Sequence, residues 1–423
     1  MSVPIHKGSL TSHQKAAIQS KLFFQPDGGF MAKKLGAAPP PITFYTTDRD
    51  YVYLPSHTAR MVVGKDNRQR SYPHVDLNFT GKLLDKQVSV VEEATAILQD
   101  MGHLLLHLPT GFGKTVVAAY LACMSGLMPM VLLSFTALIP SWLATFKEMT
   151  NAVPWVVGED KPEQFNVVIC MDRRVSKLGD EDRKKIGLLI IDECHTFYTP
   201  GRVGALLATH PRHIIACSAT PLSGTHGMLT ALIGQAKVFR PLEVRFGVTV
   251  FRTGIVPTYE LTKQGYPKWS DINHSLCDNP ERNRAIVEMV TLNPDRKILI
   301  LTWMKEHAVK LQQLLVDEGV QVAVMAGQAK SYSDSQVLIG TVNKIGTGFD
   351  EKMACPDFQG VRINLLILAA STKSDKLLAQ MSGRVFRSDM PDIVDIVDKL
   401  PLLDRHFKKR LKWYRDNGAR IDD

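Results

Sequence analysis

The chain has 423 residues, too many for one ordinary core and suited to two or three domains, and its 45% hydrophobic and 22% charged content is that of a soluble globular protein. A formal net charge of +9 suits a polyanionic partner, either nucleic acid or an acidic membrane surface. Six scattered cysteines, none at CxxC spacing, signal neither a zinc site nor a disulfide framework, and they fit a reducing, intracellular, non-secreted setting.

The first ten residues, MSVPIHKGSL, lack the apolar core of a signal peptide. Residues 1–80 hold many turn formers and the strand-like pieces ITFYTT and YVYLP, which predict a small, partly β accessory module. From residue 81 the rhythm changes. Short apolar runs recur at 103–109, 130–135, 167–171, 187–191 and 213–217, each followed by a helix-like stretch. Such runs are what buried parallel strands look like. The most apolar stretch, 127–143, is broken by Pro129, Ser134, Thr136 and Pro140, so it reads as strand, turn and helix rather than a membrane span. The segment 241–280 reads as an irregular linker. The pattern then resumes at 297–302, 321–325, 336–341, 363–368 and 392–397. Two β/α sets predict an α/β fold with two tandem, doubly wound parallel-sheet lobes, 81–240 and 281–423. Ligands of such sheets sit beyond the carboxyl ends of the strands.

The first such loop reads Leu-Pro-Thr110-Gly111-Phe112-Gly113-Lys114-Thr115. The strict P-loop wants Gly where Leu108 stands, but PTGxGKT is intact. Gly111 and Gly113 let backbone N–H groups close around phosphate, and the following helix adds partial positive charge. Lys114 would contact the β- and γ-phosphates of ATP, and Thr115 would hold Mg²⁺. A plain glycine-rich turn is the alternative. The next candidate, Asp192-Glu193-Cys194-His195, ends an apolar strand. Adjacent carboxylates there are costly unless they bind something positive. Asp192 can hold Mg²⁺ through water, and Glu193 can orient and deprotonate the attacking water. Outside this context the pair is a solvated strand end. The third candidate is Gln380-Met-Ser-Gly-Arg384-Val-Phe-Arg387. Arginines three apart share a helical face, and two planar cations suit a γ-phosphate in its transition state. A salt-bridged surface helix is the common alternative for RxxR.

Together, in order from about residue 83 to the end, these pieces resemble the superfamily-two helicases, whose lobes are RecA-like. PTGFGKT is similar to motif I, SFTALIPSW (134–142) to motif Ia, DECH to motif II, SAT (218–220) to motif III, GTVNKIGTGFD (340–350) to motif V and QMSGRVFR to motif VI. The resemblance implies that Gln87 reads adenine and that Thr110 to Thr115 cradle the nucleotide. It implies that Gly348 and Asp350 touch nucleotide from the second lobe. His195, Ser218, Thr220 and Gln380 would couple the nucleotide site to strand movement. Thr136 and Thr341 would touch the nucleic-acid backbone, with Arg173 near a loop that faces it. Within the superfamily the chain looks like the transcript-release DNA helicases of large DNA viruses, as in poxviruses, related to XPB-type and UvsW-type motors. DECH stands where DESH or DEAH is more usual in that group.

The expected activity is ATP-dependent translocation on DNA, 3′ to 5′, with ATP and Mg²⁺ as cofactors. Lobe two would supply its arginines to ATP held by lobe one, so that cleavage needs both. RNA as the track remains open, because the 2′-OH contacts that would separate it from DNA are not legible. A scaffold with a decayed core and a restriction or remodelling subunit are the other rivals. RNA polymerase or other transcription and replication proteins are expected partners, and a viral chain would act in host cytoplasm and be packaged in the virion. Lys408, Lys409, Arg410, Lys412 and Arg415 read as a solvated helix face. Trp142 reads as core packing rather than a base-stacking residue.

Overall fold

A computed structural model describes residues 2–25, 40–65, 70–220, 226–345 and 349–422. The chain divides into two compact units, Met1–Pro241 and Leu242–Asp423. The N-terminal segment is partly β. Its strands are β1 (Ser2–His6), β2 (Phe23–Phe24), β3 (Ile42–Thr43), β4 (Thr46–Thr47) and β5 (Tyr51–Pro55). They form an antiparallel sheet in the order β1-β5-β4 and a separate β2-β3 pair. Helix Ser12–Leu22 starts with a reciprocal capping box between Thr11 and Gln14. The segment's described residues form no separate core. Val3, Ile5, Leu22, Phe44 and Leu54 belong to the same buried cluster as the sheet that follows. Ser2 Oγ donates to the Leu207 carbonyl at 2.9 Å, and Thr58 Oγ1 to that of Ala231 at 2.9 Å. Residue 80 therefore marks a change of secondary structure rather than of core.

The first unit's main sheet holds β6 (His103–His107), β7 (Met128–Leu133), β8 (Pro154–Val156), β9 (Val167–Met171), β10 (Ile186–Ile191), β11 (His213–Ser218) and β12 (Lys237–Phe239). Their order is β12-β6-β11-β10-β7-β9-β8, and every pairing is parallel. β7, β9 and β10 are buried at every position, which is why they read as unbroken apolar runs instead of alternating ones. Gly102, at φ +77°, ends helix Asp85–Met101 with an N–H bond to Leu98 and turns the chain into β6.

The second unit repeats the plan with β13 (Gly247–Arg252), β14 (Ile298–Thr302), β15 (Val322–Met325), β16 (Val337–Thr341), β17 (Leu365–Leu368), β18 (Asp392–Val397) and β19 (Arg420–Asp422), ordered β15-β16-β14-β17-β18-β13-β19. This corrects the expected linker at 241–280. That stretch supplies β13, an inner strand between β18 and β19, and helix Trp269–Asp278. Only Val248 and Val250 of β13 are buried, alternating with less buried neighbours, so β13 lacks the continuous apolar signature of β14, β16 and β17.

The basic run 408–415 lies on helix Pro401–Asp416, with Lys408, Lys409, Lys412 and Arg415 exposed as expected. Arg410 departs from this and faces inward. Its Nε and Nη2 donate to the two carboxylate oxygens of Asp395 at 2.8 Å each, and Tyr414 Oη donates to the same carboxylate at 2.9 Å. Asp395→Ala leaves that guanidinium buried without its counter-charge, at an expected cost of about 3–5 kcal/mol. Urea unfolding of the second unit checks this, and an unshifted midpoint would contradict it. No described helix is long and apolar enough to cross a membrane.

Candidate active site

β6, β11 and β10 are adjacent in the first sheet although they are far apart in sequence, so the loops leaving their carboxyl ends lie side by side. The loop after β6 carries Thr110 to Thr115. Gly111 and Gly113 adopt φ of +83° and +93°, the left-handed region that a side chain rarely enters. Lys114 opens helix Lys114–Ser125, and its Nζ donates to the carbonyls of Leu108 at 3.1 Å and Pro109 at 3.2 Å. The ammonium thus occupies the loop's own oxygens. Thr110 and Thr115 are half-buried beside it. Phe112 is buried with Lys86 Nζ 5.3 Å above its ring.

Gln87, expected to read adenine, is buried with both ends of its amide bonded to the chain. Its Oε1 accepts the Leu84 N–H at 2.9 Å, and its Nε2 donates to the Phe112 carbonyl at 3.0 Å. It braces the loop from helix Asp85–Met101.

After β10 the chain places Asp192, Glu193 and His195. Asp192 is buried. Its Oδ2 accepts the indole N–H of Trp142 at 2.9 Å, and its Oδ1 accepts the Glu193 N–H at 2.9 Å. Burial pushes this carboxyl up, against the Trp142 hydrogen bond and the nearby Lys114 charge, which pull it down. Glu193 sits at φ +47°, the one non-glycine residue at positive φ among the described residues. Backbone strain of this kind concentrates where the surroundings over-determine a functional geometry. His195 Nδ1 lies 2.8 Å from Ser218 Oγ at the end of β11 and 3.3 Å from Glu193 Oε2. Ser218 Oγ also accepts the Thr220 N–H at 3.0 Å. His195, Ser218 and Thr220 are therefore one hydrogen-bonded set, with the Glu193 carboxylate against the same ring nitrogen.

β7 and β9 continue the sheet beyond β10, and their carboxyl ends carry the first unit's candidate nucleic-acid residues. Thr136 opens the exposed turn Thr136–Leu138, and Arg173 is exposed on the short helix Asp172–Lys177. The neighbouring Arg174 instead donates to the Val157 carbonyl at 3.1 Å.

In the second unit, Thr341 ends β16 but is only 7% exposed. Gly348 lies outside the described residues. Asp350 caps helix Glu351–Ala354 and pairs with Arg387 Nη1 at 2.6 Å. Burial raises this carboxyl, but the Arg387 charge and hydrogen bond outweigh it and hold it below the ordinary carboxylate value. Arg384 is 7% exposed and donates to the Phe349 carbonyl at 2.6 Å; Gln380 is buried too. The expected helical face shared by Arg384 and Arg387 is corrected. Helix Asp375–Ser382 ends at Gly383, and the arginines follow on successive turns held by Arg384 N to Met381 O at 3.1 Å and Val385 N to Ser382 O at 3.1 Å. The tighter turns leave Arg387 half-exposed and bury Arg384.

Sequence reasoning missed two contacts. The Trp142 bond to Asp192 joins residues 50 apart, and the available signal was that a buried indole N–H seeks an acceptor. Arg202 binds Asp172 at 2.8 Å and the Thr196 carbonyl at 2.8 Å, tying the loop after β10 to the one after β9; no local pattern announces that pair. Among the described residues, no three His, Cys, Asp or Glu side chains gather as a metal cluster.

Residues 87–226 match the family described as DEAD/DEAH box helicase. The chain is 30% identical over 349 residues to the 055L protein of Frog virus 3 (isolate Goorha), named as a helicase, covering 79% of this chain and 78% of that one. It is 28% identical over 401 residues to the 161L protein of Invertebrate iridescent virus 6, also named as a helicase, covering 87% and 88%. Among solved structures, S. cerevisiae Dbp5 bound to RNA and ADP BeF3 aligns with a TM-score of 0.54 at 15% identity, over 78% of this chain and 88% of that chain. That last likeness is one of fold: two tandem RecA-like lobes.

Proposed function

Since this chain belongs to the DEAD/DEAH box helicases of superfamily two and hydrolyses ATP on a nucleic-acid track, we propose that it is a 3′-to-5′ DNA translocase of the transcript-release kind. The observation that supports the ATP-driven part of this reading is the joining of Glu193 and His195 to Ser218 beside Lys114, across three adjacent strand ends. A group that activates water and a group that senses the γ-phosphate are thereby tied to the end of the neighbouring strand through Ser218 and Thr220.

In this mechanism the backbone N–H groups around Gly111 and Gly113 receive the phosphates. Lys114 leaves the Leu108 and Pro109 carbonyls for the β- and γ-phosphate oxygens, exchanging neutral acceptors for charged ones. Asp192 suits a cation, because the donors hydrogen-bonded to it are two neutral N–H groups. Thr115 and, through water, Asp192 would hold Mg²⁺, which supplies charge neutralisation for the transferring phosphoryl group. Glu193 takes a proton from the attacking water as its oxygen bonds to the γ-phosphorus and ADP departs. His195 passes the change at Glu193 to Ser218 and Thr220. From the second unit Arg387, which pairs with Asp350, would meet the charge that develops on the γ-phosphoryl oxygens, while Arg384 holds the Phe349 carbonyl. Thr136 and Arg173, both exposed, grip phosphates, so little sequence preference follows.

Arg387→Ala should reduce turnover by roughly 10³-fold with a modest loss of ATP affinity, because its contact strengthens mainly in the transition state. A large affinity loss at unchanged turnover would contradict the role. Likeness in motifs to transcript-release helicases supports DNA as the track. RNA is the second reading, favoured by the RNA-bound state of the fold's structural neighbour. ATPase rates on single-stranded DNA, duplex DNA and RNA separate the two, and a forked duplex tests polarity. Unwinding in the 5′-to-3′ direction alone would remove the polarity. The viral relatives support a viral setting, and the motif resemblance to transcript-release helicases supports a role in transcription with RNA polymerase subunits as partners. A pull-down against those subunits tests that.

A further inference from the structure

We propose that Trp142 is a positioning residue for the cation-holding carboxylate, and that it links the track side of the first unit to the nucleotide side. The inference deepens the reading of Asp192 given above and rests on it. Trp142 is 1% exposed, and its Nε1 donates to Asp192 Oδ2 at 2.9 Å. The other oxygen, Oδ1, is fixed by the Glu193 N–H at 2.9 Å. Each carboxylate oxygen thus has one neutral donor. A neutral donor aims the carboxylate without spending its charge, whereas a lysine or arginine at position 142 would satisfy the charge meant for a cation.

The link to the track follows from where Trp142 sits. It lies on helix Ile139–Met149, which begins where the exposed turn Thr136–Leu138 ends. Phe146, one turn further on, holds its ring with centroids 5.8 Å apart. β7, which feeds that turn, is hydrogen-bonded to β10, and the Asp192 N–H donates to the Leu132 carbonyl at 3.2 Å. Nucleic acid that displaces the Thr136 turn therefore rotates the helix that carries the indole, and the indole turns the carboxylate. Trp142 touches neither phosphate nor track, so its effect is on alignment.

The test is binding of a fluorescent ATP analogue to the full chain, titrated with Mg²⁺. Trp142→Phe keeps an aromatic ring and removes the N–H. Its Mg²⁺ half-saturation should rise by about 10- to 100-fold, the usual effect of losing an outer-shell partner, with nucleotide binding in EDTA unchanged. Stimulation of turnover by nucleic acid should fall more than the unstimulated rate. Phe146→Leu loosens the same packing and leaves the hydrogen bond, so it should lower the melting temperature while Mg²⁺ half-saturation stays at the wild-type value. Equal Mg²⁺ dependence in Trp142→Phe and wild type, or equal shifts in both variants, would reduce Trp142 to a packing residue. Should Trp142→Phe fail to fold, wild-type protein labelled with ¹⁵N at its five indoles answers the question. One exchange-protected indole signal should move when Mg²⁺ is added to the nucleotide-bound chain, and no such signal would overturn the proposal. Failure of wild type to bind nucleotide at all would strike instead at the reading of the site.

Discussion

Glu193→Gln should bind ATP as wild type does and cut it about 10²- to 10⁴-fold more slowly, the usual contribution of a positioned general base. The backbone explains why the defect should be confined to chemistry. Glu193 sits at φ +47°, a conformation that costs on the order of 1–3 kcal/mol and persists only under constraint. The constraint comes from neighbours: its N–H goes to Asp192 Oδ1, and its carbonyl accepts both the N–H of Thr196 at 2.8 Å and Thr196 Oγ1 at 2.9 Å. None of these bonds involves the Glu193 carboxylate. Glutamine has the same length and inherits the same backbone, so it aims the same way but cannot take a proton. Equilibrium binding of a fluorescent ATP analogue and single-turnover cleavage of labelled ATP separate the two effects. Unchanged cleavage would place the base elsewhere.

Lys114→Ala should lose both binding and turnover. Two charge-assisted bonds to phosphate disappear, each worth roughly 1.5–3 kcal/mol, so affinity should fall by at least about 10²-fold. Turnover should fall further, by roughly another 10²- to 10³-fold, because the missing charge is needed most when charge develops on the γ-phosphate. The fold should survive. Lys114 is only half-buried, and its hydrogen bonds go to two carbonyls at the mouth of its own loop. Helix Lys114–Ser125 keeps its cap at Gly113. Phosphate release at saturating ATP, with circular dichroism as the control for folding, checks this. Turnover that persists in a folded Lys114→Ala would mean that the loop after β6 is not the phosphate site.

Much of this was legible from residue order alone, for a physical reason. Parallel strands buried on both faces are written as apolar runs, so β6, β7, β9, β10 and β11 could be located, as could β14 to β18. The glycines of PTGFGKT announce a backbone that only they adopt easily, and Gly111 and Gly113 do lie at positive φ. The hidden features depend on partners distant in sequence. β13 is only alternately buried, and its place between β18 and β19 comes from pairing with residues more than 140 positions away. The end of helix Asp375–Ser382 at Gly383 left no periodic trace, so Arg384 and Arg387 read as a helical pair. Trp142 continued an apolar pattern, which is correct for its ring and silent about its N–H. Arg410 looked like one more surface charge until Asp395 and Tyr414 were found beneath it.

ATP cleavage should be coupled to an occupied track through the Glu193, His195 and Ser218 set. The most direct measurement is the rate of phosphate release by the full chain at saturating ATP as single-stranded DNA is titrated in. Phosphate release should be slow without DNA, climb with DNA to a plateau and fall back as salt weakens the phosphate contacts. A rate that stays flat across the titration, with RNA in place of DNA giving the same flat line, would contradict it.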